Sequence, residues 1–278
     1  MAASTALKDG CIMRAVSALR SAASIACTAL AALSQAGAQT PAEPVARAAA
    51  AAPACEVTIE RARLDAPLAR TARKLADGLP ITIVALGSSS TSGFGASSPA
   101  ASYPSRLAED LAQRLKGRPI NVLNRGLVND EAAQTLARLD RDVIAARPDL
   151  ILWQIGTNAL LRNTPLQIEV LRQGLSRMKA IGADVVLIDP QFAPRVIPPR
   201  KAEPMVSFIA HAASIEHVNV FRRYELMRHW HEIDRLPLDT FLWSDGLHMN
   251  DWGYACLGKW IGAAITDAAT RPAVAAAR

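Results

Sequence analysis

Residues 81–93 read Ile81-Thr82-Ile83-Val84-Ala85-Leu86-Gly87-Ser88-Ser89-Ser90-Thr91-Ser92-Gly93, a short apolar run that ends in a hydroxyl-rich turn between two glycines. A run of this length, rich in β-branched residues and almost free of polar ones, predicts a strand buried on both faces, as in a parallel sheet. Four further runs repeat the pattern at Ile120 to Leu123, Leu150 to Ile155, Val185 to Ile188 and Val218 to Phe221. Helical spacing fills the intervals. Leu107, Leu111 and Leu115 stand four apart ahead of Gly117, a second helix is expected from about Glu131 to Ala146 with Pro148 beyond it, and Leu257, Trp260, Ile261, Ala264 and Ile265 mark a closing helix. Strands and helices alternating in this way predict an α/β fold, a three-layer α/β/α sandwich around a five-stranded parallel sheet.

Outside this frame the composition sets bounds. A chain of 278 residues, 50% hydrophobic and 20% charged, is neither disordered nor fibrous. Lys and Arg exceed Asp and Glu by 31 to 25, but the basic residues are scattered, so the net charge of +6 predicts solubility and no nucleic-acid partner. Toward the N-terminus, Arg14 and Arg20 precede an uncharged stretch from Ser21 to Leu33, and Ala36-Gly37-Ala38 suits signal peptidase. Residues 1–38 are therefore expected to be a signal peptide, with Met13 a second candidate start, and the mature protein to be periplasmic or secreted. The apolar stretch is far short of the ~20 residues of a membrane helix, so no stable anchor is expected. Cleavage removes Lys8, Arg14 and Arg20 with one acid, Asp9, and leaves +4. Residues 39–54 read as an Ala/Pro-rich linker, 55–270 as the folded domain and 271–278 as a flexible tail. Cys11 and Cys27 depart with the leader; Cys55 and Cys256 would meet an oxidising compartment, either bridged by a disulfide or as two unpaired core residues.

In an open parallel sheet, reacting groups gather at the carboxyl ends of the strands. The turns after the first three runs carry Gly87 to Gly93, Asn124 to Asn129 and Gly156-Thr157-Asn158, and Asp245-Gly246-Leu247-His248 precedes the last helix. A hydroxyl is a poor nucleophile without an adjacent base, and the base needs a partner to fix its tautomer. Asp245 and His248 lie three apart, so one coil of the intervening turn brings carboxylate and imidazole together, and Gly246 makes that turn cheap. The oxyanion of acyl transfer needs donors, which the Asn158 amide and backbone N–H groups near Ser89 and Asn129 could supply.

These four blocks, in this order and spacing, resemble the SGNH hydrolases, the GDSL esterase and lipase family, across about residues 80 to 265. The resemblance implies a flavodoxin-like fold. It makes Ser89 the nucleophile, Asp245 and His248 the rest of a catalytic triad, and Ser89, Asn129 and Asn158 the oxyanion hole. Ser88 stands where the family usually has Asp, and Asn129 where Gly is usual; Asn is the next most tolerant residue of positive φ. The implied function is an exported serine esterase acting on carboxylic esters, short acyl or glycan O-acetyl, without metal or organic cofactor. Its partner is a small-molecule or glycan ester. An O-acyltransferase using the same triad and a catalytically inactive carbohydrate-binding protein are the alternatives.

Other residues have blander readings. Ser88, Ser90 and Ser92 are taken as turn and capping groups, and no Lys follows Gly87 and Gly93 at the spacing of a phosphate loop. His229 and His231, with Glu232, point to different faces of a helix and are expected on a solvated surface rather than around a metal; His211 and His217 have no acid at useful spacing. Asp189-Pro190 closes the fourth strand as a turn at the carboxyl edge, with a minor substrate-contact role left open. Phe192, Phe241 and Trp243 either line a pocket or belong to the core, and Gln191 to Pro204, with four prolines, could border a cleft.

Overall fold

Five short strands, all parallel, form the centre of the molecule: β1 (Ile81–Gly87), β2 (Ile120–Gly126), β3 (Leu150–Gln154), β4 (Asp184–Ile188) and β5 (Asn219–Phe221). The computed structural model describes residues 52–197 and 202–271, and the expected signal peptide, most of the linker and nearly all of the tail lie outside them. The strand order is β2-β1-β3-β4-β5, so β1 leads outward to β2 and the chain then crosses back to β3 on the other side.

The period of two along each strand builds two cores. Ile81, Ile83 and Ala85 of β1, Leu150 and Leu152 of β3, and Val186 and Ile188 of β4 enter one cluster, with side chains of the helices Tyr103–Arg114, Arg223–Glu232 and Asp251–Thr270. Their neighbours Val84, Leu86, Ile151, Trp153, Val185 and Leu187 enter the other, with side chains of Ala132–Ala137, Ile168–Ala180 and Ala202–Ile215. That alternation produces the three layers. Each aliphatic side chain so buried contributes about 1.5–3 kcal/mol relative to exposure.

Two expected elements differ in extent. β2 runs three residues past Leu123, because Asn124, Arg125 and Gly126 pair in register with Ala85, Leu86 and Gly87. The helix expected over Glu131 to Ala146 is broken into Ala132–Ala137, Leu139–Asp142 and a 3₁₀ turn at Ile144–Ala146. The first break falls at Arg138, whose half-helical backbone (φ −105°, ψ 8°) accompanies a buried guanidinium. That guanidinium donates to the carbonyl oxygens of Gly87 (3.1 Å) and Arg125 (2.9 Å), at the ends of β1 and β2.

Cys55 and Cys256 are joined by a disulfide with Cα atoms 5.6 Å apart, which ties the start of the domain to the closing helix across 201 residues. Closing so long a loop removes much unfolded-state entropy, about 5 kcal/mol in the chain-entropy model. Cys256→Ser is accordingly expected to lower the midpoint of thermal unfolding by roughly 10–20 °C for a domain of this size. Calorimetry checks it, and an unchanged midpoint would mean that the bridge contributes nothing.

Candidate active site

β1 and β3 are neighbours although β2 separates them in sequence, which makes the gap beyond their carboxyl ends the switch point where parallel sheets bind ligands. Ser89 opens a single helical turn, Ser89–Ser92, directly after β1, and Asn158 lies in the first turn of the helix Thr157–Arg162 directly after β3. Both side chains are nearly buried, with 8% and 9% exposure.

The imidazole arrives from the far end of the chain. Trp243 N–H donates to the His248 carbonyl (2.8 Å), and an antiparallel bridge pairs Leu242 with Met249, so residues 242–249 form a narrow hairpin. At its tip Gly246 takes φ +65°, and the Asp245 carboxylate folds back over the turn. One oxygen, Oδ1, accepts the backbone N–H groups of Leu247 and His248, both at 2.9 Å. The other, Oδ2, lies 2.5 Å from His248 Nδ1, and His248 Nε2 lies 2.8 Å from Ser89 Oγ. With the proton on Nδ1 facing the carboxylate, Nε2 is left to accept from the hydroxyl. Burial opposes ionisation of Asp245, but hydrogen bonds from the His248 side chain and from the two N–H groups hold its carboxyl below the usual range.

Asn158 is tied to the loop that carries Asn129. Asn158 Nδ2 donates to the Asp130 carbonyl (2.9 Å), and Arg162 donates to the Asn129 carbonyl (2.8 Å), so the loop after β2 is pinned to the helix after β3. Asn129 has φ +70°, the left-handed conformation that Asn tolerates better than other side chains. Arg138 holds the same loop from below through Asp130, at 2.6 Å.

Ser88, which replaces the usual acid, is buried. Its N–H (3.0 Å) and hydroxyl (2.9 Å) both donate to Gln154 Oε1 at the end of β3. Gln154 thus fixes the residue before Ser89. Its signal was visible in the sequence, because an amide closing an otherwise apolar buried strand must find partners.

A second buried network lies under the site and had no such signal. Arg223, with no exposure at all, donates to the Asp189 carbonyl (2.9 Å) and to Thr157 Oγ1 (3.4 Å). The Thr157 hydroxyl donates to Gln191, and Gln191 donates to the Leu247 carbonyl beside His248. Asp189 is therefore an internal group rather than a substrate-facing turn. Its Oδ1 accepts the Tyr224 N–H at the start of a helix, and burial pushes its carboxyl up to about 7. Burial also pulls Arg223 down to about 10 and pushes Tyr103 up to about 12.

Among the remaining expectations, Phe192 and Phe241 are core residues, whereas Trp243 is 43% exposed. His229 and His231 are half-buried rather than solvated. Each has found a local partner, His229 Nε2 at 3.1 Å from Asp234 and His231 Nδ1 at 3.0 Å from the Leu236 carbonyl. Among the described residues no group of three or more His, Cys, Asp or Glu side chains could hold a metal ion.

Solved structures of other proteins share this fold. A two-domain esterase (CEX) active on acetylated mannans superposes with a TM-score of 0.65 at 17% identity. The match covers 77% of this chain but 58% of that one, so the chain spans little more than half of the esterase's length. A catalytic mutant of Axe2, an acetylxylan esterase from Geobacillus stearothermophilus, matches with a TM-score of 0.58 at 17% identity, covering 66% and 94% of the two chains. TesA matches at 0.57 and 21%, covering 67% and 99%. At these identities the likeness is one of fold, the SGNH hydrolase fold. No curated protein sequence matches the chain. Residues 54–271, which contain every strand and every turn described above, match the Non-GDSL lipase-like family, and the chain belongs to that family.

Proposed function

We propose that the protein is an exported serine esterase that cleaves carboxylic esters of short acyl groups, glycan O-acetyl esters included, through an acyl-enzyme. The observation that carries this reading is the continuous chain from Ser89 Oγ to His248 Nε2 and from His248 Nδ1 to Asp245, assembled across 159 residues of sequence. Triad geometry of this kind has one well-understood use.

In the first half-reaction Ser89 Oγ attacks the ester carbonyl carbon while His248 Nε2 takes the hydroxyl proton. Asp245 holds the resulting imidazolium. The oxyanion lies against the Asn158 amide and the N–H groups of Ser89 and Asn129, and collapse expels the alcohol, which takes the proton back from His248. Water then repeats the sequence on the acyl-enzyme, releasing the acid and restoring Ser89. Export finds support in the Cys55–Cys256 bridge, since disulfides persist in oxidising compartments.

The test is hydrolysis of 4-nitrophenyl acetate across pH. A protonated imidazole cannot accept the Ser89 proton, so kcat/KM is expected to fall about tenfold per pH unit along its acidic limb. Asp245, held below its usual range, stays ionised over that limb, so one proton and not two should account for the slope. A profile flat through the acidic range, or no hydrolysis at any pH, would contradict the reading.

A further inference from the structure

Two of the large apolar side chains exposed among the described residues form a pair, one of which lies against the imidazole. Phe94 and Trp243 are each 43% exposed, their rings pack edge to face at 5.7 Å, and the Phe94 ring lies 4.6 Å from the His248 ring. Burial therefore does not account for them.

Their placement is unusually fixed for exposed residues. Phe94 N–H donates to the carbonyl of Ser89 itself (3.0 Å), and the Phe94 carbonyl accepts the hydroxyl of buried Tyr254 (2.7 Å). Gly95 follows at φ +89°, where a Cβ would come within 2.6 Å of the Met249 carbonyl, so the chain passes against the His248 hairpin as only glycine can. Trp243 is bonded through its N–H to the His248 carbonyl (2.8 Å). One ring is thus carried on the backbone of Ser89 and the other on that of His248, and neither must be ordered when a ligand arrives.

From this geometry we infer that Phe94 and Trp243 form a stacking platform for the alcohol half of the ester, and that this alcohol is a pyranose ring. The inference rests on the esterase reading. In that reaction the leaving oxygen takes its proton from His248 Nε2, so groups packed on the imidazole face the alcohol and not the acyl chain. Exposed aromatic faces are electron-rich and attract the polarised C–H groups on one side of a sugar ring. The surroundings also suit a sugar. Exposed Ser97, Ser98 and Ser244 flank the two rings in sequence, and exposed Arg195 is bonded through its N–H to the Gly246 carbonyl of the same hairpin. A long alkyl alcohol would require a continuous apolar surface, whereas a sugar presents hydroxyls around its apolar face.

The experiment compares ethyl acetate with the monoacetates of methyl xylopyranoside and methyl mannopyranoside, by acid release at constant pH, for wild type, Trp243→Ala and Trp243→Phe. Wild type is expected to prefer the better sugar ester to ethyl acetate by at least about tenfold in kcat/KM. Trp243→Ala should remove most of that preference through KM, and Trp243→Phe should retain most of it. Wild type that hydrolyses ethyl acetate without preferring either sugar ester, or a preference that survives Trp243→Ala, would overturn the platform and leave the esterase standing. Hydrolysis of none of the three esters would overturn the esterase reading itself.

Discussion

Ser89→Ala is expected to lower kcat for 4-nitrophenyl acetate by at least about 10⁴-fold while leaving the fold intact. The side chain makes one described hydrogen bond, to His248 Nε2, so its removal deletes the proposed nucleophile and little else. The imidazole retains Asp245 on its other nitrogen and some contact with solvent, and the thermal midpoint should move by no more than about 2 °C. A variant that keeps a tenth of wild-type turnover would place the chemistry elsewhere. So large a loss is expected because triad members act as a unit: once the nucleophile is gone, His248 and Asp245 have nothing to activate.

The second large effect belongs to Asn158. Its amide carries two N–H bonds, one of which is engaged with the Asp130 carbonyl at 2.9 Å, and that engagement aims the other. A preorganised donor of this kind is worth roughly 10²–10³ in kcat when removed. Asn158→Ala is expected to lose that factor in kcat with KM nearly unchanged, because the developing oxyanion and not the ground-state carbonyl needs the donor. Asn158→Asp is the sharper variant. It keeps the volume, removes both donors and places charge of the wrong sign beside the oxyanion, so it should be at least as impaired as the alanine variant. Rates within threefold of wild type for both would exclude the amide from the oxyanion site.

Much of this was legible in the sequence for identifiable reasons. Strands buried on both faces read as continuous apolar runs, which is why β1 and β3 were placed to within a residue. The Asp245 to His248 turn was legible because three residues and a glycine suffice for a carboxylate to fold back on its own loop, a purely local event. What escaped depends on distant partners. Arg138 interrupts a segment whose apolar spacing suits one helix, because the carbonyls it satisfies belong to β1 and β2. Arg223 sits in an otherwise ordinary helix, and its link through Thr157 and Gln191 to the His248 hairpin exists only once four elements have packed. Trp243 lay between pocket and core in the sequence, since a lone aromatic before a turn has no period to read.

Convergence of an alcohol after β1 and an imidazole from the last loop is worth little unless it makes the alcohol reactive. Treatment of the folded protein with a fluorophosphonate, followed by peptide mass spectrometry, tests that most directly. The account predicts one phosphonyl adduct per chain, on Ser89, absent after denaturation before labelling and absent in His248→Ala. No adduct on Ser89, or equal labelling of the neighbouring Ser90 and Ser92, would contradict it.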